Sequence, residues 1–293
     1  MNKKSQADTE LKLLQDKILQ LQKENEILSN HLFEVNEKLR DSEKLKSHFI
    51  SNITNEIVNP FTGIMALAGN MKKLKEGELR KIHHMADLIF EEASHLDFQL
   101  RNIFAVAMIE SGNERLNYSK VNILSVIDQV QSYFNHLAEK KGISLLLHFN
   151  PEGKSREGVE ITADQEKLLM ILKNLVNNSI KYSPDDSEID LTVDLDGEKL
   201  KLIISDRGKG IDPSARKIIF DRFKQLDEKI NSINTGHGLG LSVVLAYTEM
   251  MDGTIEISDN YPGGACVTVN IPGHQDDMYN EINDFLFDSE IIF

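Results

Sequence analysis

Cysteine, basic charge and long apolar runs are all scarce in this sequence, and each shortage excludes something. Cys266 is the only cysteine in 293 residues, so neither a disulfide framework nor a cysteine metal site forms within one chain. A reducing, cytoplasmic setting fits. Lysine and arginine number 33 against 47 acids, for a net charge of −14. No basic stripe stands out, which argues against nucleic acid as a direct partner. No run approaches the ~18 apolar residues of a membrane span. The N-terminal MNKKSQADTE has no apolar signal region, so no membrane segment is expected in this chain. The 40% hydrophobic content is that of a soluble globular protein, with length for one large domain or two ordinary ones.

The first half is also poor in turn residues, and its apolar residues keep helical spacing. Leu11, Leu14, Ile18, Leu21, Leu28, Leu32, Val35, Leu39, Phe49 and Ile53 alternate at three and four, with Asn25, Ser42 and Lys46 as polar members of the same register. That pattern predicts a coiled coil, pairing as a parallel dimer. Asn25 shares the a column with Leu11, Ile18 and Leu32, where a single asparagine fixes register and favours two strands. The helix is expected to continue to about Ala68, with a kink at Pro60. A turn at Lys75–Glu78 and a second amphipathic helix over Leu79–Glu110 complete a hairpin, two of which make a dimeric four-helix bundle. From Lys120 the pattern changes. Helical stretches at Asn122–Lys140 and Asp164–Lys181 alternate with strand-like runs at Ile143–Phe149, Ile189–Val193, Leu200–Ser205, Thr254–Ile257 and Ala265–Ile271, which predicts a separate α/β sandwich.

Four motifs in that second half belong together. Asn174, Asn178 and Lys181 share one helical face at i, i+4 and i+7. Two amides and a lysine on one stripe suit a hydrated Mg²⁺ carrying phosphates, since magnesium prefers oxygen ligands and keeps several waters. Asp206-Arg-Gly208-Lys-Gly210 follows a strand. Its carboxylate can accept the exocyclic amine of adenine, and its glycines permit close backbone approach. Ile219-Phe220-Asp221-Arg222-Phe223 begins a long polar segment, to about Thr235, of the kind that forms a lid. Gly236-His-Gly238-Leu239-Gly240 opens a helix, where free N–H groups favour polyphosphate.

In order and spacing these motifs resemble the asparagine, first glycine, phenylalanine and second glycine boxes of the ATP-binding domain shared by histidine kinases, gyrase-type enzymes and MutL proteins. The resemblance implies ATP and Mg²⁺ as cofactors. It implies the metal at Asn178, phosphate contact from Lys181, adenine packing on Tyr182 and adenine recognition by Asp206. The 236–240 glycines would close a phosphate-covering lid.

Upstream, Lys46-Ser-His-Phe49-Ile-Ser-Asn-Ile-Thr54-Asn55-Glu56-Ile-Val58-Asn59-Pro60 resembles the phosphoacceptor box of histidine kinases, with one departure. Asn55 stands where the histidine belongs. An imidazole nitrogen has a lone pair to attack a γ-phosphate. The asparagine amide delocalises its lone pair into the carbonyl, so phosphorylation at position 55 is expected to fail. Glu56 is retained, and Asn59 completes the Glu-x-x-[Thr/Asn] spacing. In the family that polar residue orients the water that hydrolyses a response regulator's aspartyl-phosphate. His48, two turns before position 55, is a lesser alternative acceptor.

The expected organisation is therefore a coiled coil over 1–45, a phosphoacceptor-like hairpin over 46–112 and an ATP-binding α/β sandwich over 120–273. An acidic tail over 274–293 carries Met278, Ile282, Phe285, Leu286 and Phe293, and reads as a loose tail or a docking segment. The coiled coil and hairpin imply a homodimer, and the resemblance implies, as partner, a receiver domain or an intact histidine kinase. Three roles stay open: a regulatory pseudokinase, a phosphatase using Asn59, and a kinase acting on a histidine in a heterodimer partner, with an engineered His-to-Asn form of an ordinary kinase as a further reading of Asn55.

Overall fold

In the computed structural model, short polar side chains set where the helices of the second half begin. The Asn122 side chain accepts from Ser125 N, and Asp164 accepts from Lys167 N; each satisfies an N–H that the helix leaves unpaired. The structure describes scattered residues between 17 and 54, then 57–74, 78–151, 160–196, 199–216, 218–220 and 239–273. Asn55, Glu56, His48, the 221–238 segment with Gly236 and Gly238, and the acidic tail lie outside the described residues.

The chain divides into two compact units, Met1–Val58 and Asn59–Phe293. In the first, every described residue from 17 to 40 is helical. Its apolar seam positions Leu21, Leu28, Leu32 and Val35 are all exposed on the single chain. The second unit opens within a helical stretch assigned over 57–71 (α1), which runs through Pro60 without a break in assignment. The long helix α2 follows at Leu79–Glu110.

After the linker, strand β1 (Ser119–Asn122) leads into α3 (Ile123–Lys140) and β2 (Ser144–Pro151). Strand β3 (Glu160–Ala163) precedes α4 (Gln165–Tyr182), then β4 (Glu188–Asp196) and β5 (Lys199–Ser205). A 3₁₀ turn at Ile218–Phe220, α5 (Gly240–Met250), β6 (Thr254–Asp259) and β7 (Ala265–Ile271) complete the described chain. Strands β1 and β3 form a separate antiparallel pair, which the sequence pattern did not indicate. The main sheet has the order β2-β4-β5-β7-β6, with β2 parallel to β4 and the other pairs antiparallel. The expected helical-plus-α/β architecture is therefore present, and most element bounds agree with the sequence reading to within two residues.

Alternation makes the sheet one-sided. Ile189, Leu191, Val193 and Leu195 of β4 are buried while Asp190, Thr192 and Asp194 are not, the period-2 signature of a sheet with one covered face. Helices α3, α4 and α5 pack on one another and against the sheet, adding Ile127, Ile171, Leu172 and Val243 to the core. On the open face, Asp194 sits opposite Lys201 and Asp196 opposite Lys199, cross-strand pairs of opposite charge.

Helix α2 is seated on this domain. Its buried residues Phe98, Asn102, Ala105 and Val106 fall at i, i+4, i+7 and i+8, one face of a helix. The Phe98 ring lies 6.2 Å from Tyr133 and 6.4 Å from Phe134 of α3. The Tyr133 hydroxyl donates to Ser94 O at 2.8 Å. Burial, with Asp97 nearby, pushes the Tyr133 hydroxyl up to about 12. The linker is also tied down. Asn117 N donates to Asp164 Oδ2 at 2.7 Å, and Lys167 Nζ reaches Glu114 at 2.5 Å.

Candidate nucleotide-binding site

Of the residues flagged in sequence, Tyr182, Asp206, Gly208 and Gly210 meet at one end of the sandwich, where α4 ends, β5 ends and β7 begins. Close backbone approach holds them there. A Cβ on Gly208 would lie 2.7 Å from Tyr182 O and 3.0 Å from Asp206 Oδ1. Gly210 has φ +71°, and its Cβ would lie 3.2 Å from Gly264 O. The two glycines after Asp206 thus let the β5–loop backbone press against the end of α4 and the start of β7.

Asp206 is the fixed point. It is buried, and its Oδ1 accepts from Gly208 N at 2.9 Å and from Ala265 N at 3.0 Å. Two backbone donors on one oxygen lock the carboxylate's rotation. Oδ2 then makes no hydrogen bond among the described residues, so it has capacity to accept from an amine-bearing ring. The backbone of Asp206 is held as well: its N donates to Ala265 O at 2.9 Å, and its O accepts from Asn260 Nδ2 at 2.7 Å.

Tyr182 ends α4 with its ring about half exposed. Lys181 Nζ lies 5.2 Å and Lys209 Nζ 5.6 Å from the ring centroid, within cation–π range. An aromatic face flanked by two cations beside a locked carboxylate suits a planar base joined to an anion. Asn178, one turn before Lys181 on α4, is half-buried.

Asn174 differs from the rest of its stripe. It is 3% exposed, and its Nδ2 donates to Asn102 Oδ1 at 2.7 Å and to Met170 O at 3.0 Å. Its Oδ1 lies 2.7 Å from where a Cβ on Gly240 would stand. The amide is therefore packed against the start of α5. Leu239 gives α5 no side-chain cap, so the first-turn N–H groups are the kind that accommodate an anion.

The sequence reading missed Gly264, Asn260, Lys209 and Asn102. Gly264 has φ +114°, and a Cβ there would lie 1.9 Å from Asp206 O. The Pro262-Gly263-Gly264 run before β7 was the available signal for it. Asn102 gave no signal, since a lone asparagine on an amphipathic helix reads as surface. A second polar cluster, Glu114–Lys167–Tyr247, also escaped. Tyr247 donates to Glu114 Oε2 at 3.3 Å, and burial together with Glu114 raises its hydroxyl well above the ordinary tyrosine range.

Groups of three or more His, Cys, Asp or Glu able to hold a metal are absent among the described residues. An all-protein metal cage is thus absent there. Of the stripe, Asn178 and Lys181 remain half-buried, an amide and a lysine of the kind compatible with a magnesium ion that arrives with phosphates and keeps waters. No described helix is long and apolar enough to cross a membrane.

The class of this two-layer domain comes from comparison with known proteins. Residues 163–275 match the family model described as histidine kinase-, DNA gyrase B-, and HSP90-like ATPase. Sensor histidine kinase TmoS of Ectopseudomonas mendocina is 30% identical over 247 residues, covering 84% of this chain and 25% of that protein. The solved structure of full-length ShkA in complex with AMPPNP superposes with a TM-score of 0.53 at 24% identity, over 80% of this chain and 46% of that one. Histidine kinase ThkA in complex with the response regulator TrrA gives 0.50 at 22%, over 80% and 64%. The chain spans 16 to 27% of the length of the first curated relatives it matches. It carries an ATP-binding core of the histidine kinase type.

Proposed function

We propose that this chain binds Mg-ATP and works in two-component signalling as a regulatory pseudokinase, acting on a partner histidine kinase or on a response-regulator receiver domain. The observation that carries the reading is Asn55. It occupies the phosphoacceptor place upstream of a complete set of nucleotide motifs. An amide there cannot take the γ-phosphate, yet the ATP-site residues are retained and Asp206 is held by two backbone donors. Retention of the site without the acceptor supports a role in which nucleotide sets conformation rather than labels this chain.

In this reading Asp206 Oδ2 accepts the adenine amine, the Tyr182 ring packs on the base and Lys181 meets phosphate. Asn178 holds the magnesium ion, which when bound neutralises phosphate charge. Exposure of the seam residues Leu21, Leu28, Leu32 and Val35 on the single chain supports pairing through the N-terminal helix, with a second copy or with an intact kinase.

A second reading has its own support. Asn59 is exposed on α1, where an amide can orient a water for hydrolysis of a receiver aspartyl-phosphate; that reaction needs no nucleophilic histidine. Asn59→Ala separates the two: it should abolish hydrolysis and leave partner binding.

The deciding experiment incubates the purified chain and its Asn55→His variant with γ-labelled ATP and Mg²⁺. The expected result is label on the variant alone. Acid-labile phosphate on the unmodified chain would refute the pseudokinase reading and make His48 the next residue to replace.

A further inference from the structure

We propose that Asn102, on the hairpin helix α2, is a positioning residue for the nucleotide site, so that the phosphate end of the site is complete only when α2 is docked. The inference rests on the nucleotide reading above. Asn102 and Asn174 are 6% and 3% exposed, and both amides are hydrogen-bonded. Asn102 Nδ2 donates to Phe98 O at 3.1 Å, which aims its Oδ1 at Asn174. That oxygen accepts from Asn174 Nδ2 at 2.7 Å, while Met170 O accepts from the same nitrogen at 3.0 Å.

Both protons of the Asn174 amide are thereby directed, one to α2 and one within α4. The amide plane has no freedom left to flip, and Oδ1 is fixed against Gly240, 2.7 Å from the place of a Cβ. Gly240 begins α5 directly after the segment whose glycines are expected around the phosphates. Asn102 therefore reaches the reacting end of the site through one intermediate side chain.

Packing alone does not account for Asn102. Its neighbours on the buried stripe are Phe98, Ala105 and Val106. A leucine there would bury apolar surface without desolvating an amide, whereas a buried amide is costly unless its bonds are made. The asparagine pair links two surfaces at a point where an apolar pair would hold them at least as well, and what it adds is orientation. By linkage, if a docked α2 raises nucleotide affinity, bound nucleotide raises α2 docking by the same factor.

The test uses the full chain, the Asn102→Leu variant and the Tyr133→Phe variant. The second removes the Tyr133–Ser94 bond at the same docking surface without touching Asn174. Mg-ADP affinity is measured by calorimetry, adenosine affinity by competition, and nucleotide-dependent protection of α2 by hydrogen exchange. Asn102→Leu is expected to weaken Mg-ADP about three- to tenfold, the equivalent of one lost orienting hydrogen bond. Adenosine, which lacks phosphates, should stay within about twofold, and so should both ligands in Tyr133→Phe. Mg-ADP should raise α2 protection in the unmodified chain and not in Asn102→Leu.

Unchanged Mg-ADP binding in Asn102→Leu overturns the positioning role while leaving the nucleotide reading in place. A proportional loss of adenosine overturns it too, because that marks general damage to the fold. Failure of the unmodified chain to bind Mg-ADP overturns both.

Discussion

Replacing Gly264 by alanine should uncouple Asp206 from its frame, and the size of the effect follows from the backbone. Gly264 has φ +114°, which side-chain-bearing residues rarely adopt, and its added Cβ would lie 1.9 Å from Asp206 O and 3.0 Å from Arg207 Cα. Both obstacles are backbone, so neither can swing aside. Strain of this kind is worth about 1–3 kcal/mol. Relieving it must move the strand pair that carries Asp206 N→Ala265 O and Ala265 N→Asp206 Oδ1, at about 0.5–1.5 kcal/mol for each bond. A total of about 2–6 kcal/mol lowers the melting temperature of a ~150-residue domain by about 4–24 °C. Gly263→Ala is the matched control: its Cβ would meet only Gly208 O, at 3.9 Å, with no positive φ. Thermal unfolding followed by circular dichroism, with Mg-ADP titration at 20 °C below the lower midpoint, reads both consequences. Gly264→Ala should melt well below Gly263→Ala and bind nucleotide more than about tenfold more weakly, because Asp206 loses its orientation. If the two alanine variants melted within about 1 °C of each other, the claim that close backbone approach holds the site together would be wrong.

Lys167→Met should cost about 2–4 kcal/mol in urea unfolding, since it strands Glu114, whose side chain is 12% exposed, with only the Tyr247 hydroxyl as partner. The double variant Glu114→Leu/Lys167→Met should recover much of that, a non-additivity read from the double-mutant cycle. The Tyr133 hydroxyl is raised from 10.0 to about 12 in the folded state, so its contribution is fully present below about pH 10 and is lost as pH rises through about 12. Alkaline unfolding should accordingly begin at higher pH in Tyr133→Phe, and identical profiles would count against the buried hydroxyl as a cause.

The fold was legible in the sequence where one surface of an element decides its fate. Alternation in Ile189–Val193 and Leu200–Ser205 marks strands with one buried face, and the observed β4 and β5 contain both runs. The break between amphipathic helix and linker was readable because glycine and polar residues follow Glu110 directly. Strands β1 and β3 were not readable. Each is four residues long, too short to display a period, and they are held by each other across residues 123–159 rather than by local preference. The site was legible in residue type but not in arrangement. Asp206, Gly208 and Gly210 announced a close backbone approach, yet the surface they approach includes Gly264, more than fifty residues on.

Asn174 shows why helical spacing could not supply the remainder. Position on α4 places it in line with Asn178 and Lys181, and the line is real, but burial along it is graded: Asn174 is buried while Asn178 and Lys181 are half-buried. The difference comes from α2, which covers the N-terminal end of the stripe and supplies Asn102 as hydrogen-bond partner. A period describes one helix, and it cannot say how far along that helix a neighbour reaches. The same covering explains why polar residues on α2 and in the linker, Asn102 and Glu114, read as surface in sequence and are buried or nearly so in the structure. Their partners Asn174, Lys167 and Tyr247 lie on α4 and α5, the helices that carry the asparagine box and follow the second glycine box. Polar contacts between α2 and the sandwich thus fall on two helices: Asn174 of α4 meets Asn102, while Tyr133, His136 and Lys140 of α3 meet Ser94 and Glu91. An apolar interface could slide with little penalty, but these buried amide and ion pairs are satisfied in one register. Movement of α2 and the orientation of the Asn174 amide are therefore physically tied in this chain.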